Sequence, residues 1–203
     1  MDIVLATKNS NKVKEIKRIL SVMDTASRIF TLDEFPAFAD IVEDGKTFEE
    51  NALKKATIIA KATRMTAIAD DSGLEVDALN GAPGIYSARY AGEDADDVAN
   101  NQKLLEEMKN VPDDKRTARF VCCIALASGE EVKTFTGYAE GKIGIEPRGE
   151  TGFGYDPLFY PKGSEKTFAE IGGDEKNSIS HRAMALRELQ KYLLEKRGYI
   201  RGF

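Results

Sequence analysis

The sequence of 203 residues has no tryptophan, one histidine and two cysteines. A single histidine, His181, excludes any mechanism that needs two. Cys122 and Cys123 are adjacent. Neighbours on a strand point to opposite faces, so a disulfide between them is not expected, and two thiols do not complete a zinc site. Such thiols fit the reducing cytosol. Long hydrophobic runs are also missing. The longest, Phe120 to Ala127, is strand-sized and well short of the ~18 residues of a membrane helix. The N-terminus lacks the basic start and apolar stretch of a secretory signal, so none is expected. A basic excess is missing too: 29 Lys and Arg stand against 34 Asp and Glu, a net charge of −5. Nucleic-acid-binding surfaces more often carry a basic excess. Neither nucleic acid nor a membrane is therefore an expected partner, whereas a small anionic ligand stays open because a local basic cluster can still form.

The chain is 42% hydrophobic and 31% charged, enough apolar material for a real core in one domain or two small lobes. No repeat, low-complexity tract or linker divides it. Strand-like and helix-like segments alternate early, which predicts an α/β fold. Ile3–Ala6 reads as a buried strand, and Val13, Ile16, Ile19, Leu20 and Met23 recur at helical spacing behind a cap at Asn9, Ser10 or Asn11. Thr47-Phe48-Glu49-Glu50 fits a capping box opening a helix whose apolar face is Phe48, Ala52, Ala56, Ile59 and Ala60. Thr66–Ala69 reads as a short strand that ends in the turn Asp70-Asp71-Ser72-Gly73, and Leu79–Gly92 as a long ordered loop. Thr117–Ala127 and Glu131–Ala139 form a predicted hairpin across Ser128-Gly129-Glu130. A last helix begins near Ser180, with basic Lys191, Lys196 and Arg197 towards its end and Gly198 after it.

Four segments carry residues suited to chemistry. Thr7-Lys8-Asn9-Ser10-Asn11-Lys12 leaves a strand and opens a helix, where free N–H groups and the helix dipole favour an anion. Lysines at a helix start are unfavourable unless negative charge offsets them; the segment lacks the glycines of a Walker loop and also fits a solvated polar turn. Asp70 and Asp71 could bind Mg²⁺, or orient and deprotonate a water, or simply form a capped turn. Glu43 is a weaker candidate for the same ion. Gly149–Pro157 places glycines around Phe153 and Tyr155, which suits stacking on a flat ligand, with Asp156 as acceptor from a base or sugar, and equally suits a turn with core aromatics. Lys176 and Ser180-His181-Arg182 put positive side chains at another helix start, pointing to an anionic or carbonyl-bearing partner. Two basic helix starts, one acidic turn and an aromatic glycine loop together suggest a nucleoside triphosphate with Mg²⁺.

The motifs Thr7-x-Asn9-x-x-Lys12, Glu43-x-Gly45-x-Thr47-Phe48-x-Glu50-Asn51-Ala52, Ala69-Asp70-Asp71-Ser72-Gly73-Leu74, Gly81-x-Pro83-Gly84-x-x-Ser87-Ala88-Arg89-Tyr90, Gly152-Phe153-Gly154-Tyr155-Asp156-Pro157 and Ser180-His181-Arg182-Ala183 occur in that order. On these blocks the chain resembles the inosine triphosphate pyrophosphatase family, the XTP/dITP diphosphatases, over about residues 3 to 195. The resemblance implies one domain over residues 1–203 with a two-lobed α/β fold around a long mixed sheet with flanking helices, the active-site cleft between the lobes, and a homodimer. It implies hydrolysis of ITP, dITP and XTP to the monophosphate and pyrophosphate with Mg²⁺, which clears deaminated purines from the nucleotide pool.

Carried over position by position, the resemblance implies that Thr7, Lys8, Asn9, Ser10, Asn11 and Lys12 cradle the triphosphate. Glu43 and Asp71 hold the metal, with Asp71 also the proton acceptor and Asp70 in support. Ser72 and Lys55 contact substrate, the latter at phosphate. Phe153, Gly154, Tyr155 and Asp156 hold base and sugar, and Lys176, His181 and Arg182 contact the nucleotide near its 6-oxo group. Thr151 departs from the family, which often has Gly there, and is expected to stiffen the loop. The tail 198–203 has no counterpart. The alternatives are a related pyrophosphatase of modified pyrimidine nucleotides and a nucleotide-binding regulator without turnover. The second is disfavoured because a binder needs no water-activating base.

Overall fold

The computed structural model describes residues 2–22, 28–35, 38, 41–94, 96–129 and 131–196. Among the described residues there are six strands, β1 (Asp2–Leu5), β2 (Arg28–Thr31), β3 (Thr66–Val76), β4 (Thr117–Ser128), β5 (Glu131–Ile143) and β6 (Phe159–Pro161), and five helices, α1 (Ser10–Val22), α2 (Phe48–Thr63), α3 (Asp97–Glu107), α4 (Gly173–Ile179) and α5 (His181–Lys196); they alternate as far as β4. The sheet order is β2-β1-β3-β4-β5-β6. β1 pairs in parallel with β2 and β3, and β6 lies antiparallel on β5, so the sheet is mixed, as expected. Parallel pairing follows from the helical crossovers that separate β1, β2 and β3 in the chain. Among the described residues no helix is long and apolar enough to cross a membrane.

The chain forms two compact units. The first comprises residues 1–71, 122–137 and 182–203, the second 72–121 and 138–181. The first has its core between β1, α1, β3, β4 and α5: Ile3, Leu5, Ile16, Ile19, Leu20, Ile68, Ile124, Leu186 and Leu189 are buried together. The apolar face of α2 is the expected one, with Phe48, Ala52, Ala56, Ile59 and Ala60 buried. The second unit packs Leu74, Leu104, Met108, Phe120, Ile143, Tyr155, Phe159 and Phe168. Here Phe120, Phe159 and Phe168 form an aromatic cluster with centroid separations of 4.8 to 5.9 Å. Arg116 is buried in this unit because its guanidinium donates to the carbonyls of Met108, Val111, Ile143 and Gly144, which offsets the cost of burying an ion.

Three expectations change. Asp70-Asp71-Ser72-Gly73 is not a turn after a short strand. β3 runs on through it to Val76. A turn composition was overridden because the segment is buried and its polar groups find partners within the fold. The loop 79–92 contains a 3₁₀ turn at Gly84–Arg89, and a short helix, α4, precedes the last one. β4 and β5 are sheet neighbours as the hairpin requires, with Gly129 at φ 63°, but β5 extends four residues further, to Ile143. Met23, Glu130, Arg197, Gly198 and the tail lie outside the described residues.

Candidate active site

In the first unit, β1 and β3 are in parallel register, Leu5 opposite Ile68, and Ala6 N–H donates to the Ile68 carbonyl. The chain leaving β1 therefore emerges beside the Asp70–Asp71 stretch of β3. Thr7 Oγ1 accepts from Asn9 N–H, and Asn9 Oδ1 caps α1 by accepting from Asn11 and Lys12 N–H at 3.0 and 3.1 Å. Asn9 is thus the cap among the three candidates. Lys8, Asn9, Ser10 and Asn11 are exposed, while Thr7 and Lys12 are half-buried. The first turn of α1 carries no acidic residue, so the positive end of its dipole is not offset from within the helix.

Lys12 does find a partner. Its Nζ lies 2.5 Å from Asp70 Oδ1. Asp70 is fully buried and also accepts from Arg182 Nε at 3.0 Å and from the Cys122 thiol at 2.9 Å. Arg182 is buried as well and pairs with Glu15 through its other arm. Burial opposes the Asp70 carboxylate, but Arg182 and Lys12 outweigh it and hold its pKa well below the usual value. Burial, reinforced by Asp70, pushes the Cys122 thiol far above its ordinary range. Arg182 was expected against the nucleotide; in this structure two carboxylates of the chain itself hold its guanidinium.

Beside this group lies a second one. Lys55, on the buried side of α2, donates to Glu43 Oε1 at 2.5 Å and to the Asp70 carbonyl at 2.8 Å, with Asp71 Oδ1 at 3.5 Å. Burial penalises its ammonium, yet Asp71 and Glu43 outweigh that penalty and raise its pKa. Burial raises the pKa of Asp71 above the ordinary carboxylate value, against the pull of Lys55 and Lys12. Glu43 and Asp71 therefore converge on one cationic centre. Counted in their ionised forms, four carboxylates (Glu15, Glu43, Asp70, Asp71) face three cations (Lys12, Lys55, Arg182). The cluster is net negative by one and would repel a polyphosphate; one divalent cation reverses the sign. Two carboxylates are what Mg²⁺ takes from a protein when phosphate and water supply the rest. The donor set fits that ion.

The second unit holds the aromatic loop. Gly152, Gly154 and Gly149 all have positive φ. At Gly154 (φ 61°) α3 holds the two peptide groups that flank the residue: its N–H donates to Asp97 Oδ2 at 2.7 Å and its carbonyl accepts from Asn101 Nδ2 at 2.9 Å. Asp156 is buried. Its Oδ2 accepts from Phe153 N–H at 2.9 Å and from Lys176 Nζ at 2.6 Å, and the Lys176 ammonium also lies 4.9 Å from the Phe153 ring centroid. Tyr155 OH donates to the Ser87 carbonyl, so this ring belongs to the core. His181 stacks on Phe120 at 4.7 Å with the planes 10° apart. The Thr151 hydroxyl donates to the Ala169 carbonyl at 2.8 Å, a bond that a glycine there could not make. Ser72 is half-buried on β3.

Sequence reasoning gave no role to Glu15, Cys122, Asp97 or Asn101, and quoted Asn51 only within a motif. The signal for Glu15 was present: a carboxylate beside Ile16 on the inward side of α1 invites a buried cation. The others needed the tertiary fold.

The first unit thus brings Glu43 and Asp71 to the Lys55 ammonium, beside the basic start of α1. The profile of the Ham1 family matches residues 3–192. The chain is 53% identical over 191 residues to the dITP/XTP pyrophosphatase of Bacillus subtilis, covering 94% of this chain and 96% of that one. It is 52% identical over 194 residues to the dITP/XTP pyrophosphatase of Desulforamulus reducens, covering 95% and 96%. Its fold matches that of the Staphylococcus aureus Ham1 protein with a TM-score of 0.86 and 44% identity, covering 97% of this chain and all of that one. A HAM1 protein from Coxiella burnetii gives 0.87 and 45%, covering 96% and 99%. The chain belongs to the Ham1 family.

Proposed function

We propose that this chain hydrolyses the triphosphates of deaminated purines, ITP, dITP and XTP, to the monophosphate and pyrophosphate, and so removes them from the nucleotide pool. Homology at about half identity over almost the whole chain carries the reading of the reaction. The observation that carries the reading of the site is the convergence of Glu43 and Asp71 on the Lys55 ammonium.

Asp71 accepts the proton of the attacking water. Glu43 and Asp71 would hold Mg²⁺, which when bound shields phosphate oxygens and makes the phosphorus more electrophilic. Thr7 to Lys12 orient the triphosphate at the start of α1, and Lys8, Lys12 and Lys55 stabilise charge that builds on the leaving pyrophosphate. Arg182 acts through Asp70, which it holds in place for Lys12. Ser72 contacts substrate. Phe153 stacks on the base, Gly154 allows the close approach, and Tyr155 and Asp156 fix the loop. Lys176 and His181 read the 6-oxo group. Hypoxanthine pairs O6 as acceptor with N1–H as donor and adenine has the reverse, so a donor aimed at O6 is left unpaired by ATP. Mismatches of this kind discriminate by ~10⁴-fold, about 5–6 kcal/mol. The chain works as a homodimer in the cytoplasm, a compartment that suits its two free, buried thiols.

The test is product analysis with Mg²⁺ on ITP, XTP, dITP, ATP, GTP and dTTP, with pyrophosphate and free phosphate detected separately. Pyrophosphate from ITP and XTP with little from ATP and GTP is the expected result. No pyrophosphate from any purine would overturn the reading in favour of modified pyrimidines or of binding without turnover.

A further inference from the structure

Asn51 lies on α2 one turn after Thr47, and its backbone N–H donates to the Thr47 carbonyl. The residue is 2% exposed, and its side chain makes two bonds of opposite sense. Oδ1 accepts from Gly45 N–H at 2.8 Å, and Nδ2 donates to Asp71 Oδ2 at 3.1 Å. Both ends of the carboxamide are committed, and each bond requires the same assignment of O and N. One end ties down the segment that carries Glu43. The other ties down one oxygen of Asp71 and leaves Oδ1 turned to Lys55.

A second observation points the same way. A Cβ at Gly45 would stand 2.6 Å from Asn51 Oδ1, 2.9 Å from Glu50 Cβ and 3.0 Å from Asn51 N. The chain at Gly45 is therefore packed directly on this amide, and only glycine admits the approach. The cap region of α2 is rigid for independent reasons: Thr47 Oγ1 accepts from Glu50 N–H, and the Glu50 carboxylate accepts from Lys46 N–H. Asn51 is thus a strut between the Asp71 carboxylate and the backbone at Gly45, two residues after Glu43.

We propose that Asn51 is a positioning residue that fixes the Asp71 carboxylate relative to the Glu43 segment, so that the pair is set for a divalent cation and the attacking water before either arrives. This rests on the proposed function. It goes beyond it by naming a residue that acts through Asp71 and the Glu43 segment rather than on the substrate. Groups that orient ligating carboxylates govern both metal affinity and turnover, typically by 10- to 100-fold. A residue that merely filled space would move stability alone.

The experiment compares the full-length parent with Asn51→Leu, Asn51→Gln and Gly45→Ala. Four quantities are read: kcat and KM for ITP, Mn²⁺ affinity without nucleotide (from the spectroscopic signal of free Mn²⁺), and the melting temperature. Asn51→Leu keeps the volume and removes both bonds. It is expected to lower kcat about 10- to 100-fold and to weaken Mn²⁺ binding about tenfold, with KM for ITP nearly unchanged. Asn51→Gln, which retains both polar ends one methylene further out, recovers part of both losses. Gly45→Ala, which leaves Asn51 in place but displaces it, falls in the same direction. A folded Asn51→Leu with parental kcat and Mn²⁺ affinity overturns the proposal, as does a variant that loses only melting temperature or only KM. If Asn51→Leu does not fold, the other two variants decide by the same readouts. If the parent has no pyrophosphatase activity the proposed function fails, and the Mn²⁺ titrations still confirm or overturn the role of Asn51.

Discussion

At Asp70 the physical chemistry is that of a buried carboxylate with three donors and two cations around it. Its burial would be costly alone; with Arg182, Lys12 and the Cys122 thiol in place, removing one partner leaves the others uncompensated. Breaking a buried pair of this kind costs ~3–5 kcal/mol. Asp70→Asn is therefore expected to lower stability by about that amount at neutral pH, measured by urea unfolding. The pH dependence has a definite sign. The folded pKa is depressed, so between the unfolded value of ~3.9 and the lower folded value the unfolded state binds more protons. The Asp70 contribution is complete above the unfolded value and is lost as pH falls through the folded one. The difference between parent and Asp70→Asn should be constant from pH 8 to 5 and shrink below about pH 4. A difference that grew on acidification would show that Asp70 is not held as the anion.

At the scale of elements, α3 fixes the aromatic loop through one residue, Gly154. Asp97 and Asn101, four residues apart and so on one helical face, hold the N–H and the carbonyl of Gly154. Asn101 is largely buried, so truncating it leaves the Gly154 carbonyl without that donor, a loss of ~1–3 kcal/mol. Asn101→Ala should loosen the loop that carries Phe153. The expected outcome in steady-state kinetics is a several-fold rise in KM for ITP with kcat little changed, the reverse of the split expected at Asn51. An unchanged KM would separate α3 from base recognition. This element also shows what the sequence made legible. The helices α1, α2 and α5 and the hairpin strands were readable because apolar periodicity is local. The identity of the acidic pair and the aromatic loop was readable because their residue types are unusual together. The grip of α3 on Gly154 was not readable. It joins positions 97, 101 and 154, and a polar residue on a helix surface looks the same whether it meets water or a distant peptide. The Asp70–Asp71 stretch misled for a related reason. Asp, Ser and Gly favour turns locally, and only the lysines and arginine supplied from α1, α2 and α5 make a strand there affordable.

For the whole molecule, the two thiols report how the fold opens. Cys122 and Cys123 are buried near the middle of β4, the fourth strand of six, and Cys122 sits in the core of the first unit. Burial raises both thiols, Cys123 to about 11 and Cys122 well above its usual value, so at pH 8 neither is the reactive thiolate. Both thiols are buried on a central strand, so modification by a thiol reagent is expected to wait for opening of the first unit. The native protein should react at pH 8 orders of magnitude more slowly than the protein in denaturant, where two thiols titrate at once. Because the proposed phosphate and metal residues lie in that same unit, ligand should close the route further. A nucleotide analogue present at 100 times its dissociation constant, with Mg²⁺, stabilises the bound form by ~2.7 kcal/mol. When reclosing is faster than modification, the rate follows the population of the open state. It should then fall about 100-fold. Native thiols that react rapidly, or a rate indifferent to ligand, would mean that β4 is exposed by a local movement not coupled to the site.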